Sequence, residues 1–141
     1  MGGVCFLFIF FAAVSLLAGT SAQAGDRSWT VSERKARLAD PFPVTDQSIA
    51  LGKEIYQHEC LSCHGTLGKG DGPGAREFSE PVPDLSNPNM RTQSDGTLFW
   101  KTTVGRRPMP SYKNLLTDEQ RWRVVQYMRT LVKTGESKTN E

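Results

Sequence analysis

Apolar and polar positions along this chain fall into distinct regimes. Residues 4–18 are almost all apolar, with an unbroken run at Phe6-Leu7-Phe8-Ile9-Phe10-Phe11. Beyond them, apolar residues recur at helical spacing in two places, at Ile49, Gly52, Ile55 and Tyr56 and again from Trp122 to Val132. The segments between are aperiodic and rich in Gly and Pro, and none alternates apolar and polar residues as a half-buried strand does. No internal repeat is present. The pattern predicts an all-α domain of three to five short helices joined by long loops.

End signals place the helices. The first begins near residues 45–48, where capping side chains cluster, and runs directly into Cys60. A short helix over residues 97–101 follows Ser94-Asp95-Gly96 and stops at Gly105. The last opens on Thr117-Asp118-Glu119-Gln120, in which Thr117 and Gln120 satisfy each other's orphan N–H groups, and runs to about Lys133. Its stripe is Trp122, Val125, Met128 and Val132, widened by Val124 and Leu131. Residues 32–38 are a candidate for one further short helix. Residues 65–75 hold five Gly and Pro73, and residues 81–90 hold three Pro and two Asn; both are loops. Arg106-Arg107-Pro108-Met109-Pro110 is expected to be extended, because each Pro restricts the residue before it. Loops this long in a small domain usually wrap something.

The first apolar run is too short for a membrane span, which needs about 20 residues, and Ala22-Gln23-Ala24 has the shape of a signal-peptidase site. Residues 1–24 are therefore expected to be a signal peptide cleaved after Ala24, which makes the protein periplasmic or otherwise exported. Met1-Gly2-Gly3 lacks Lys and Arg, so an uncleaved anchor is the alternative. Residues 25–43 are read as an extended N-terminal arm, 44–133 as the domain and 134–141 as a polar, disordered tail. The formal net charge of +2 is too weak to point to nucleic acid or a membrane surface.

Two cysteines remain after the leader, in Cys60-Leu61-Ser62-Cys63-His64. That is the attachment pattern for c-type haem. On a helical turn, two intervening residues bring both sulfurs to one porphyrin edge, and the next residue, His64, supplies an imidazole to the iron. A disulfide, a redox pair or half a zinc site are the other readings. Zinc wants four ligands, and the only other histidine, His58, is expected to face away. A thioredoxin-like site needs a preceding strand that is not visible. For the second axial position the candidates are Met90, Met109, Met128 and His58. Met128 belongs to the helical stripe. Met109, fixed between Pro108 and Pro110, is favoured because a rigid strip presents a thioether with little entropy loss.

With these residues in place, the chain over about residues 44–133 resembles the class I monohaem cytochromes c. Leu51-Gly52-Lys53-Glu54-Ile55-Tyr56 looks like that family's first helix, residues 60–64 like its haem motif and residues 65–74 like its Gly-rich loop. Pro108-Met109-Pro110, with Met109 45 residues after His64, looks like its axial-methionine loop. The resemblance implies a small cytochrome c fold around one covalent haem c, held by Cys60 and Cys63 with His64 and Met109 on the iron. It implies that the Pro73 carbonyl accepts the Nδ1–H of His64, which would fix the ring. It also implies that Trp122 and Tyr127 meet Gly52 and Tyr56, and that Trp100 packs near a haem propionate. Arms like residues 25–43 occur in cytochromes that are subunits of larger respiratory assemblies.

Two protein ligands close the iron to substrate, so the expected function is one-electron transfer in a respiratory or dehydrogenase chain, without enzyme activity. The protein would be a soluble shuttle or a subunit of a complex, with redox proteins, or a membrane respiratory complex, as donor and acceptor. The alternative is a haem sensor or small peroxidase with an open sixth site. Residues 91–113 carry five basic residues against Asp95, whereas residues 53–84 carry three basic and six acidic. Arg106 and Arg107 therefore either steer acidic partners or neutralise a haem propionate.

Overall fold

Helix-end chemistry sets the element boundaries. The computed structural model describes residues 29–132; the expected leader and tail lie outside the described residues. Five α-helices occur among them: α1 Glu33–Ala36, α2 Asp46–Glu59, α3 Leu61–His64, α4 Asp95–Val104 and α5 Asp118–Leu131. Two 3-10 turns, Pro73–Glu77 and Pro88–Thr92, punctuate the loops. The expected capping box at Thr117 forms: the Gln120 N–H donates to Thr117 Oγ1 at 3.2 Å, and the Thr117 N–H to Gln120 Oε1 at 2.9 Å. Thr45 and Ser48 build a second box at the start of α2, and Ser94 Oγ accepts from the Thr97 N–H to open α4. No strand forms among the described residues, and no helix there is long and apolar enough to cross a membrane.

Helix α2 packs chiefly against α5. Tyr56, 1% exposed, meets Tyr127 edge-on, with ring centroids 5.2 Å apart. Tyr127 thus makes the contact expected of it. The Trp122 ring stacks on Phe99 of α4 at 4.2 Å, which ties α4 to α5. Val124, Val125, Met128, Leu98 and Met90 complete the core between these helices and the loops.

The arm is not simply extended. Among its described residues, 29–43, it contains the single turn α1, within the candidate helix of residues 32–38, and lies on the domain. Ser94 Oγ donates to the Ala36 carbonyl at 2.6 Å. Gln126 Nε2 reaches Asp40 Oδ2 at 2.7 Å, and Arg123 Nη1 reaches the Pro43 carbonyl at 3.0 Å. Gly96 permits this approach, because a Cβ there would lie 2.6 Å from the carbonyl oxygens of Lys35 and Leu38. The segment around Met109 also differs from the extended strip expected. Arg106 and Met109 form an isolated bridge, with the Met109 N–H donating to the Arg106 carbonyl at 2.9 Å. The chain reverses across a cis Arg107–Pro108 peptide, the arrangement of a turn with Pro in its third position.

Candidate functional site

The sequence Cys-x-x-Cys-His becomes a local geometry because α2 passes straight into α3. The Cys60 N–H still donates to Tyr56 O at 2.9 Å, and the His64 N–H donates to Cys60 O at 2.9 Å. The motif is therefore one helical turn, with both sulfurs and the imidazole on the wall of a single cavity of about 500 Å³. That volume lies within the range of small-molecule and cofactor sites. The opposite walls come from far along the chain. Phe78 enters just before the second loop, Val82, Pro83 and Leu85 from that loop, Leu98 and Thr102 from α4, and Val124 and Met128 from α5. Met109 and its two flanking prolines also line the cavity, as do Arg106 and Arg107. His58 is exposed and takes no part.

The thiols of Cys60 and Cys63 are not joined to each other. Burial first, then the neighbouring Glu59 and Cys63, pushes the Cys60 thiol up to about 12. Such a thiol is held protonated at neutral pH. Among the described residues no three His, Cys, Asp or Glu side chains converge as a metal site.

His64 is held differently from expectation. Its Nδ1 lies 3.4 Å from the carbonyl oxygen of Pro83, at the long end of hydrogen bonding, and not from that of Pro73. The cause is the path of the loop. The Gly70 N–H turns back to His64 O at 2.8 Å, and the Leu85 N–H donates to Gly68 O at 2.6 Å. These bonds lay the chain before Leu85 along the histidine, while Pro73 opens a 3-10 turn instead. Burial lowers the imidazole's pKa, and the Pro83 carbonyl opposes that more weakly. The ring is thus neutral at pH 7. A proton on Nδ1, donated to Pro83, leaves the Nε2 lone pair for a metal.

Trp100 is also corrected. It does not line the cavity; its ring lies 4.1 Å from Lys35 Nζ, on the arm's side of α4. Trp29 of the arm lines the cavity instead. Tyr112 and Gln93 were likewise not singled out by the sequence. Tyr112 is buried and donates its hydroxyl to Glu59 O at 2.7 Å, beside the first cysteine. Gln93 bridges two lining residues, accepting from Lys101 Nζ at 2.6 Å and donating to Met90 Sδ at 3.2 Å. The one available signal was Trp29 itself, one of two aromatic residues, with Phe42, in the arm.

The residues fit a covalent haem: two adjacent sulfurs, a neutral imidazole, apolar walls and cations at the rim. The family described as cytochrome C oxidase, cbb3-type, subunit III, matches residues 47–128. A chain of the Kuenenia stuttgartiensis reducing HAO-like protein complex Kustc0457/Kustc0458 is 33% identical over 67% of this chain, with a TM-score of 0.58. The match spans 48% of that chain, so this protein corresponds to about half of it. The KustC0563 c-type cytochrome is 23% identical, with 58% of this chain and 98% of that one covered and a TM-score of 0.52, and it shares the fold. No curated protein matches the chain. The family match runs from α2 through the cavity walls into α5 and covers more than half of the sequence, so this chain belongs to that family and is a class I monohaem c-type cytochrome, an electron-transport protein with covalent haem c.

Proposed function

We propose that this cytochrome passes single electrons between redox proteins through a haem closed by His64 and Met109. The observation that carries this reading is the disposition of the three methionines lining the cavity. The Met90 sulfur accepts the Gln93 amide N–H, and that residue is buried in the core. Met128 is buried within the packed stripe of α5. Met109 sits on the tight turn between two prolines, half-buried and outside the core cluster. Cys60 and Cys63 hold the group by thioethers, and bound there it supplies a one-electron Fe(III)/Fe(II) couple. His64 offers Nε2 to the iron while Pro83 fixes its ring. The apolar walls from α4, α5 and the second loop keep water away and favour the reduced form. A closed iron leaves no place for a substrate, so the protein is a carrier and not an enzyme.

The family description and the membership of one relative in a protein complex support a place in a larger redox assembly. The leader-like residues 1–24 support export to the periplasm.

Optical spectra of the oxidised holoprotein test the ligand. The sulfur-to-iron charge-transfer band should be present, vanish in Met109→Leu and persist in Met90→Leu. If the wild type lacks the band and its reduced form binds carbon monoxide readily, the iron is open and the carrier reading fails.

A further inference from the structure

Tyr112 is buried, although it lies on the loop between α4 and α5, three residues after Met109. That loop is fastened to both neighbouring helices. Ser111 Oγ donates to Thr103 O at 2.8 Å and the Tyr112 N–H to Thr102 O at 3.3 Å, both in the last turn of α4. Gly105 lets Pro110 lie against the end of that helix, since a Cβ there would stand 2.3 Å from Pro110 O. From α5, Arg121 Nη1 donates to Tyr112 O at 3.2 Å and to Lys113 O at 3.1 Å. The Tyr112 hydroxyl reaches a third element. It donates to Glu59 O at 2.7 Å, at the end of α2 and one residue before Cys60. The break between α2 and α3 frees that carbonyl. A continuous helix would give it the Cys63 N–H, which donates to Cys60 O at 3.2 Å instead. Glu59, Cys60, Met109 and Tyr112 all line the one cavity.

The geometry points to Tyr112 as a clasp between the Met109 turn and the helix that carries the attachment cysteines: its hydroxyl caps the orphaned carbonyl beside Cys60 and so fixes where the thioether stands relative to Cys60, Cys63 and His64. Tyr112 is a positioning residue, acting on the iron through Met109, and the inference rests on Met109 being the axial ligand. Both axial side chains then belong to one tethered unit. His64 follows Cys60 by one helical turn, and Met109 precedes Tyr112 by three residues. Moving the turn off the iron breaks the hydroxyl bond and strips Glu59 O of this partner, so the bond adds to the strength of thioether ligation. The ring fills space, whereas the hydroxyl supplies the directional contact. The effect is largest in the oxidised protein, because a thioether favours Fe(II) and is displaced more easily from Fe(III).

Imidazole titration of the oxidised holoprotein tests it, because imidazole competes with Met109 for the iron and abolishes the sulfur-to-iron charge-transfer band. Tyr112→Phe keeps the ring and removes the hydroxyl. Its apparent Kd for imidazole should fall about three- to tenfold below that of wild type, the equivalent of one net hydrogen bond. In a Met109→Leu background, followed through the Soret band, there is no thioether to displace, and the same change should stay within about twofold. A general loosening of the pocket would instead raise the affinity equally in both backgrounds. An unchanged Kd in Tyr112→Phe, with the band present in wild type, overturns the clasp and leaves Met109 as the ligand. So does an equal shift in the Met109→Leu background. A wild type without the band, or a Met109→Leu variant that retains it, overturns the ligand assignment and the clasp with it.

Discussion

Gly52 is where the crossing of α2 and α5 is tightest, and adding one methyl there tests the whole frame. A Cβ on Gly52 would stand 2.0 Å from the carbonyl oxygen of Arg123, 2.6 Å from its carbonyl carbon and 3.0 Å from Tyr127 Cβ. The first two are backbone atoms in the middle of α5 and have no rotamer to change. Ordinary contact begins near 3.4 Å, so the helices must part by more than an ångström at the crossing. A gap of that size forfeits a quarter to half of the dispersion energy of the atoms it separates. The Tyr56 and Tyr127 rings, which meet across this crossing at 5.2 Å, lose contact with it. Overpacking costs about 1–3 kcal/mol where side chains can yield, and more against backbone. The better helix propensity of Ala offsets about 1 kcal/mol. Gly52→Ala should therefore destabilise by about 2–4 kcal/mol. At about 4–8 °C per kcal/mol in a domain of this size, the melting point should fall by roughly 10–25 °C. Thermal melts of the holoprotein by far-ultraviolet circular dichroism read this directly, with exposed Lys53→Ala as the control on the same helix. A Gly52→Ala melting point within about 3 °C of wild type would refute the close crossing.

Other consequences follow from single contacts. Arg129 donates to Asp95 Oδ1 at 2.6 Å and to the carbonyls of Met90 at 2.8 Å and Gln93 at 2.5 Å, pinning the loop that carries two cavity residues. Arg129→Gln should cost about 1–3 kcal/mol in urea unfolding, and no change would mean that water replaces those bonds. Burial, above all, raises the pKa of the Tyr56 hydroxyl, whose proton is donated to Gly65 O at 2.7 Å. The folded state therefore holds that proton more tightly than the unfolded one, and its contribution is complete below the unfolded pKa of about 10. Above that pH it is lost at about 1.4 kcal/mol per unit, so urea unfolding from about pH 9 to 11.5 should be steeper in wild type than in Tyr56→Phe. Equal slopes would show that the ring ionises as readily when folded. Arg107→Gln should slow reduction by an acidic partner at low salt and flatten the salt dependence. An unchanged rate and salt dependence would remove Arg107 from docking.

What the sequence made legible was local. Cys60, Cys63 and His64 are bound by one helical turn, so their spacing carries their geometry. The capping boxes at Thr45 and Thr117 are likewise contained within four residues. The same local reading failed where tertiary closure decides. Of the two proline carbonyls, Pro73 and Pro83, the second is brought to His64 by the backbone bonds from Gly70 to His64 and from Leu85 to Gly68. Of the two tryptophans near α4, Trp29 and Trp100, the cavity is reached by the one with no helical period to announce it. The turn at Arg106 to Met109 needed a peptide geometry that proline permits and composition does not specify. The arm reads as extended; side chains of Arg123 and Gln126, which look like the polar face of α5, dock it on the domain.

These distant segments close around a volume that the chain does not fill by itself. In a set of measured core truncations, each cubic ångström of cavity costs about 24 cal/mol. Applied to the space of about 500 Å³ between α3, α4, α5 and the Met109 turn, that gives about 12 kcal/mol. Partial collapse of the walls and water at the mouth reduce the figure, but even half, about 6 kcal/mol, matches the lower end of the total stability of a domain, about 5–15 kcal/mol. Bound in this space, a haem would be a structural element as much as a redox one, with Leu85, Leu98, Val124 and Met128 among the residues that would pack on it. Cys60→Ala/Cys63→Ala, produced without haem, should lack a cooperative thermal transition and expose its tryptophans to an aqueous quencher. The buried, stacked Trp122 is the most sensitive reporter, since it is 4% exposed in the folded chain. A haem-free chain that melts cooperatively within about 10 °C of the holoprotein would show that the helices and arm pack to native stability alone, and that the cavity term is largely relieved by collapse.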